Sequence, residues 1–109
     1  MQCDVQEHAS LRLLVLTGPI NTACEKDFQE LLRRQMKECP RKLVLDFGNV
    51  PEISVQATQH FLAFCKQSRA CQTVIALCKL QAAVAEQFRH MGLTSLLPTF
   101  RTRGEAMGQ

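Results

Sequence analysis

Apolar positions along the chain follow two periods. Leu11 to Thr17 (LRLLVLT), Lys42 to Phe47 (KLVLDF) and Thr73 to Cys78 (TVIALC) are short, nearly continuous apolar runs. Runs of that length predict buried strands. KLVLDF is apolar on both faces, which predicts a central strand of a parallel sheet. Gly18-Pro19 closes the first run and Gly48-Asn49 the second. Between the runs the period lengthens. Cys24, Phe28, Leu31, Leu32 and Met36 form one stripe at helical spacing, with Asn21 and Thr22 placed to cap it and Pro40 to stop it. Glu25, Asp27 and Glu30 lie early in that helix and Arg33, Arg34 and Lys37 late, an order that suits the helix dipole. Ala57, Phe61, Phe64 and Cys65 mark the inner face of a second helix over Ser54 to Ser68, with Ser54 as its N-cap. Leu80, Val84, Phe88 and Met91 mark a third, over Leu80 to Met91, stopped by Gly92.

The remaining segments are weaker in pattern. Val50 to Ile53 reads as a short extended piece interrupted by Pro51, and Leu96 to Phe100 as a last short strand. Met1 to Glu7 is a candidate edge strand beside Leu11 to Thr17, and Gly104 to Gln109 is expected to be a frayed tail. The order β-β-α-β-α-β-α-β implies an α/β sheet with right-handed parallel crossovers. Three helices with one apolar stripe each are too few to cover both faces of a doubly wound sheet. The expected fold is a small mixed, mostly parallel β-sheet with amphipathic helices packed mainly on one face. It forms one domain over 1–109, with its core over about 11–103.

Composition narrows the function classes. At 46% hydrophobic and 21% charged, the 109 residues suit one globular core rather than a disordered chain. A net charge of +3, with no Trp and no Tyr, argues against nucleic acid as the partner. No apolar run reaches the roughly 20 residues that span a bilayer, so no membrane insertion is expected. The opening Met1-Gln2-Cys3-Asp4 is not that of a secretory signal. The expected location is the cytoplasm, or the cytoplasmic face of a membrane. In that setting Cys3, Cys24, Cys39, Cys65, Cys71 and Cys78 read as thiols rather than disulfides. No two show CxxC spacing, and His8, His60 and His90 are scattered, so no metal or cofactor is expected.

Catalytic patterns are missing too. There is no GxxxxGK[ST] loop, no GxGxxG and no GxSxG elbow. Asp46 and Glu52 are the plausible catalytic carboxylates; Asp46, at a strand end, is better placed to bond a loop backbone. Ser54 is either an N-cap hydroxyl or a phosphorylation point facing a positive helix end, and Thr58 stands one turn further in. In a parallel sheet the helix starts at Asn21, Ser54 and Lys79 gather at one end, where α/β folds bind their partners. Pro19, Ile20, Val55 and Leu80 would lie there among Asn21, Gln56, Thr58 and Lys79, an apolar centre with a polar rim. Val55 and Leu80 could equally staple helix ends to the core.

Three stretches together resemble the STAS domain, named for sulphate transporters and anti-sigma factor antagonists. They are LRLLVLTGPIN, KLVLDFGNVPEIS and VIALCKLQAAVAEQFRHMGLTSLLPTF. The resemblance implies a small non-catalytic α/β protein that docks onto other proteins. In one branch the partner is an anti-sigma factor that is also a serine kinase, and phosphorylation at the start of a helix releases it. In another the domain serves an ABC-type lipid transporter beside its ATPase; a homodimer is compatible with both. The resemblance aligns Ser54 with the family's aspartate and Val55 with its phosphorylated hydroxyl, followed by Gln56 and Ala57. Asn21 replaces another family aspartate. Since valine has no hydroxyl, the implied protein binds constitutively or is regulated elsewhere.

Overall fold

The computed structural model describes residues 1–8, 11–38 and 40–108; Cys39 therefore lies outside the described residues. Strands β1 (Gln2–His8), β2 (Leu11–Thr17), β3 (Lys42–Asn49), β4 (Val74–Cys78) and β5 (Thr99–Phe100) lie side by side in chain order. β1 runs antiparallel to β2, and the other neighbours are parallel. A 3-10 turn (Thr22–Cys24) and α1 (Glu25–Glu38) connect β2 to β3, and α2 (Val55–Ser68) connects β3 to β4. α3 (Ala82–His90) and α4 (Leu93–Leu96) lead to β5, and α5 (Arg103–Met107) follows.

The two-residue alternation of the strands sorts their side chains into two cores. Leu14, Leu16, Leu43, Leu45, Phe47, Ile75 and Leu77 meet Phe28 and Leu32 of α1, Ala57, Phe61 and Phe64 of α2, and Val84 and Phe88 of α3. Leu13, Val44, Ala76 and Cys78 form the smaller cluster on the other face, under Ala106 of α5. Most cover is thus on one face, as expected. The Phe61 ring sits at the centre of the larger core, with centroids 6.0 Å from Phe28, 6.1 Å from Phe47, 6.2 Å from Phe64 and 5.8 Å from Phe88.

Two expectations are corrected. Of the tail expected over Gly104 to Gln109, residues 104–107 belong to a helix that starts at Arg103, and Gln109 lies outside the described residues: the Glu105 N–H donates to Thr102 Oγ1 (3.1 Å), and Ala106 is fully buried. The second face of the sheet needs cover, and this segment supplies it. The stretch from Leu96 to Phe100 is not one strand; Leu93–Leu96 closes a short helix after Gly92, at φ +80°, and pairing begins only at Thr99. The short piece from Val50 to Ile53 pairs through a single parallel bridge, Ile20 to Ile53, and Pro51 brings no N–H to a longer ladder. α1 also buries a polar residue that periodicity missed. Gln35 accepts from Arg12 Nη1 of β2 (2.7 Å), and the same guanidinium pairs with Glu7 of β1 (3.2 Å) and with Glu38.

Candidate docking surface

The C-terminal ends of β2, β3 and β4 gather at one end of the sheet. Past β2 the chain stays paired with the segment leading to α2. The Gly18 N–H donates to the Asn49 carbonyl (2.9 Å), Ile20 N–H to Glu52 (3.0 Å), and Ser54 N–H to Ile20 (2.7 Å). Those bonds hold Pro19, Ile20 and Asn21 beside Ser54, Val55 and Gln56. Lys79, at φ +59°, turns the chain out of β4 and donates its N–H to the Phe100 carbonyl (3.0 Å). Lys79 reaches the same edge through Gly48: a β-carbon on Gly48 would lie 3.1 Å from Lys79 Cδ. Such closeness explains the glycine by approach rather than by backbone angle.

The predicted site residues divide by depth. Pro19, Asn21, Val55, Gln56 and Lys79 are exposed, Val55 at 51%. Ser54 and Leu80 are half-buried, and Leu80 packs against the main core. Ile20 and Thr58 are fully buried, so they support the surface from beneath rather than form it. The Thr58 hydroxyl donates to the Ser54 carbonyl (2.8 Å) and accepts from Gln87 Nε2 (3.1 Å). Asn21 Oδ1 accepts from the Ala23 N–H (3.0 Å), capping the 3-10 turn rather than α1 itself.

Ser54 caps α2 as expected: its Oγ accepts from the Ala57 N–H (3.1 Å). The same hydroxyl donates to Glu25 Oε1 (2.9 Å), at the first residue of α1. A chain of polarised groups thus runs from the positive end of α2 to a carboxylate on α1. Ser54→Ala removes both bonds. It is expected to lower stability by about 1–2 kcal/mol, near the upper end for an N-cap. Denaturant unfolding would read this as a lower midpoint at unchanged slope; an unchanged midpoint would mean that the cap contributes nothing.

Four further residues shape the edge and were not singled out for it in the sequence. Glu25 anchors Ser54. Gln87 of α3 donates to the Ile53 carbonyl (2.8 Å) as well as to Thr58, tying the start of α2 to α3. Gln81 donates to the Gly48 carbonyl (2.8 Å) instead of capping α3. Arg103 pairs with Asp46 from the opposite face of the sheet. Asp46 itself bonds a loop backbone as expected, accepting from the Gly48 N–H (2.8 Å). No periodicity marks such partners, since each is a polar side chain meeting a segment distant in sequence. Among the described residues no three His, Cys, Asp or Glu side chains converge on a metal position. No helix among them is long and apolar enough to cross a membrane.

Comparison with known proteins agrees with this architecture. A relative in Bordetella bronchiseptica, BtrV, named provisionally as an anti-sigma factor antagonist, is 28% identical over 106 residues, covering 97% of this chain and 91% of its own. A Thermotoga maritima crystal structure with the same provisional name superposes at TM-score 0.89 and 15% identity, over 97% of this chain and 92% of that one. An anti-sigma factor antagonist from Mycobacterium paratuberculosis superposes at 0.88 and 15% identity, over 98% and 91%. The STAS domain family matches residues 2–106, nearly the whole length, and the chain belongs to that family.

Proposed function

We propose that this chain is a non-catalytic, partner-binding regulator of the anti-sigma factor antagonist type, working in the cytoplasm. It docks onto a kinase-like anti-sigma factor through the edge formed by Pro19, Asn21, Val55, Gln56 and Lys79. The observation that carries the reading is Val55. It is a large apolar side chain, 51% exposed, on the first residue of α2, in a segment otherwise pinned on every side. An isolated exposed valine needs no explanation. A valine at the rigid start of this helix, where the family resemblance places a phosphorylated hydroxyl, suits a permanent contact. BtrV supports the same reading through its name and its match along the chain.

In this reading the start of α2 is a contact surface rather than a phosphate switch. Val55 has no hydroxyl. A phosphate on Ser54 would lose the hydroxyl's bond to Glu25 and set its negative charge against that carboxylate. The Thr58 hydroxyl is buried and bonded on both sides. Binding is then constitutive, or its regulation sits elsewhere in the domain.

Affinity capture from the native cytoplasm, with wild type beside Val55→Asp, tests the reading. Wild type is expected to retain an anti-sigma factor of kinase type. Val55→Asp is expected to weaken that complex at least tenfold, about 1.4 kcal/mol, by placing a charge in the apolar centre of the contact. Recovery of a transporter ATPase instead would assign the domain to a transport complex. Equal capture by both baits would move the contact away from α2.

A further inference from the structure

The C-terminal helix covers apolar surface on one face of the sheet, yet it is also bonded to the candidate edge at the sheet's end. Arg103 Nε donates to Asp46 Oδ2 (2.5 Å), and the Asp46 side chain is only 3% exposed. Asp46 Oδ1 accepts from the Gly48 N–H (2.8 Å), and the Gly48 carbonyl accepts from Gln81 (2.8 Å). One run of bonds thus passes from α5, through the end of β3, to the loop before α3. It has little slack. A β-carbon on Gly48 would lie 3.0 Å from Asp46 Oδ1 as well as 3.1 Å from Lys79.

The anchoring of α5 is slight by comparison. The helix has five residues, buries Ala106 fully and Met107 in part, and is capped by Thr102 at the surface. Asp46, by contrast, is a carboxylate held almost out of water. Without the guanidinium it keeps its bond from a backbone N–H but loses its opposite charge. A buried charge in that state turns towards solvent to regain hydration. Turning Asp46 breaks its bond to Gly48, the first residue of the segment that carries Val55.

We propose that α5 is a strap whose seating on Asp46 sets the conformation of residues 48–54, so that loosening the C-terminal helix on one face loosens the edge at the end of the sheet. Anything that lifts α5 then changes the docking edge without touching it. The strap is a property of the isolated domain, so its failure would leave the docking reading standing, and the reverse.

Amide hydrogen exchange on the full chain, followed by NMR, tests it. In Arg103→Ala, protection of the Gly48, Val50 and Ser54 amides is expected to fall tenfold or more, while that of α1 and the β1–β2 ladder is unchanged. Arg103→Lys keeps the charge and is expected to restore part of the protection. Thr102→Ala removes only the exposed cap of α5, leaves Asp46 and both cores intact, and is expected to loosen the same three amides together with those of α5. A uniform loss of protection across the molecule would overturn the proposal, reducing Arg103 to general stability. Unchanged protection at 48–54 while α5 exchanges freely would also overturn it.

Discussion

Phe61→Ala is expected to lower the stability of the domain by about 3–5 kcal/mol, the range for emptying a buried aromatic position. The ring is fully buried and stands within 6.2 Å, centroid to centroid, of four other phenylalanine rings. Those four come from α1 (Phe28), β3 (Phe47), α2 (Phe64) and α3 (Phe88), so one side chain joins three helices to the central strand. Its removal leaves a cavity that no neighbour can fill without leaving its own rotamer, since the surrounding side chains are fixed on different elements. A domain of this size holds only about 5–15 kcal/mol in all, so the variant would sit near the edge of folding. Phe64→Ala is the comparison. Phe64 lies at the rim, beside the groove of about 270 Å³ between α1 and α2 lined by Leu32, Met36 and His60, where water can take up the space. Its loss should be smaller. Equilibrium unfolding in denaturant distinguishes the two by midpoint at constant slope. Equal losses would show that Phe61 is not the centre of the core.

Most of the sheet was legible because its strands are apolar on both faces. KLVLDF reads as a central strand, and residues 43–47 are all buried between β2 and β4. α2 was legible to its first residue, since Ser54 caps it and Phe61, Phe64 and Cys65 carry its stripe. The C-terminal helix was misread because a short segment with two glycines and one buried alanine shows no amphipathic period. The sign that was present is Thr102 followed three residues later by Glu105, the spacing of a capping box. That sequence reasoning expected helices mainly on one face should itself have required cover for Leu13, Val44 and Ala76 on the other.

The candidate edge was legible as a place but not as a mechanism. Strand-end logic puts Pro19–Asn21, Ser54–Gln56 and Lys79 at one end of the sheet, and the parallel pairing of β2, β3 and β4 brings them to that end. The groups that fix it, Glu25, Gln81, Gln87 and Arg103, act across sequence separations of 29 to 57 residues. No local pattern encodes a bond of that reach. Burial of Ile20 and Thr58 also escaped the sequence, because a residue beside a helix start can face inward or outward with equal ease until the neighbouring loop is placed.

Raising the pH from 8 to 10 is expected to remove about 2–3 kcal/mol of stability, at about 1.4 kcal/mol per pH unit for each thiol that folding keeps protonated. Burial pushes Cys65 up to about 12, with Arg69 opposing weakly. Burial, then the charge of Asp46, pushes Cys78 up to about 11 against the weaker pull of Lys79 and Arg103. Burial, then Asp4, pushes the half-exposed Cys3 up to about 11, where solvent screens more of the effect. The ordinary thiol value is 9.0. Below it neither state is ionised and stability is intact. Between 9 and the folded values of 11 to 12, the unfolded chain releases protons that the native chain holds, so stability falls as pH rises. No tyrosine adds to the titration in this window. Denaturant unfolding under reducing conditions at intervals from pH 7 to 10 would show the decline. Cys65→Ala should make it shallower by about one thiol's share, roughly 1 kcal/mol at pH 10. A flat profile would mean that water reaches these thiols in the native state. That would conflict with the packing of Cys65 in the same core as Phe61, since a sulfur that is solvated there implies a core that opens.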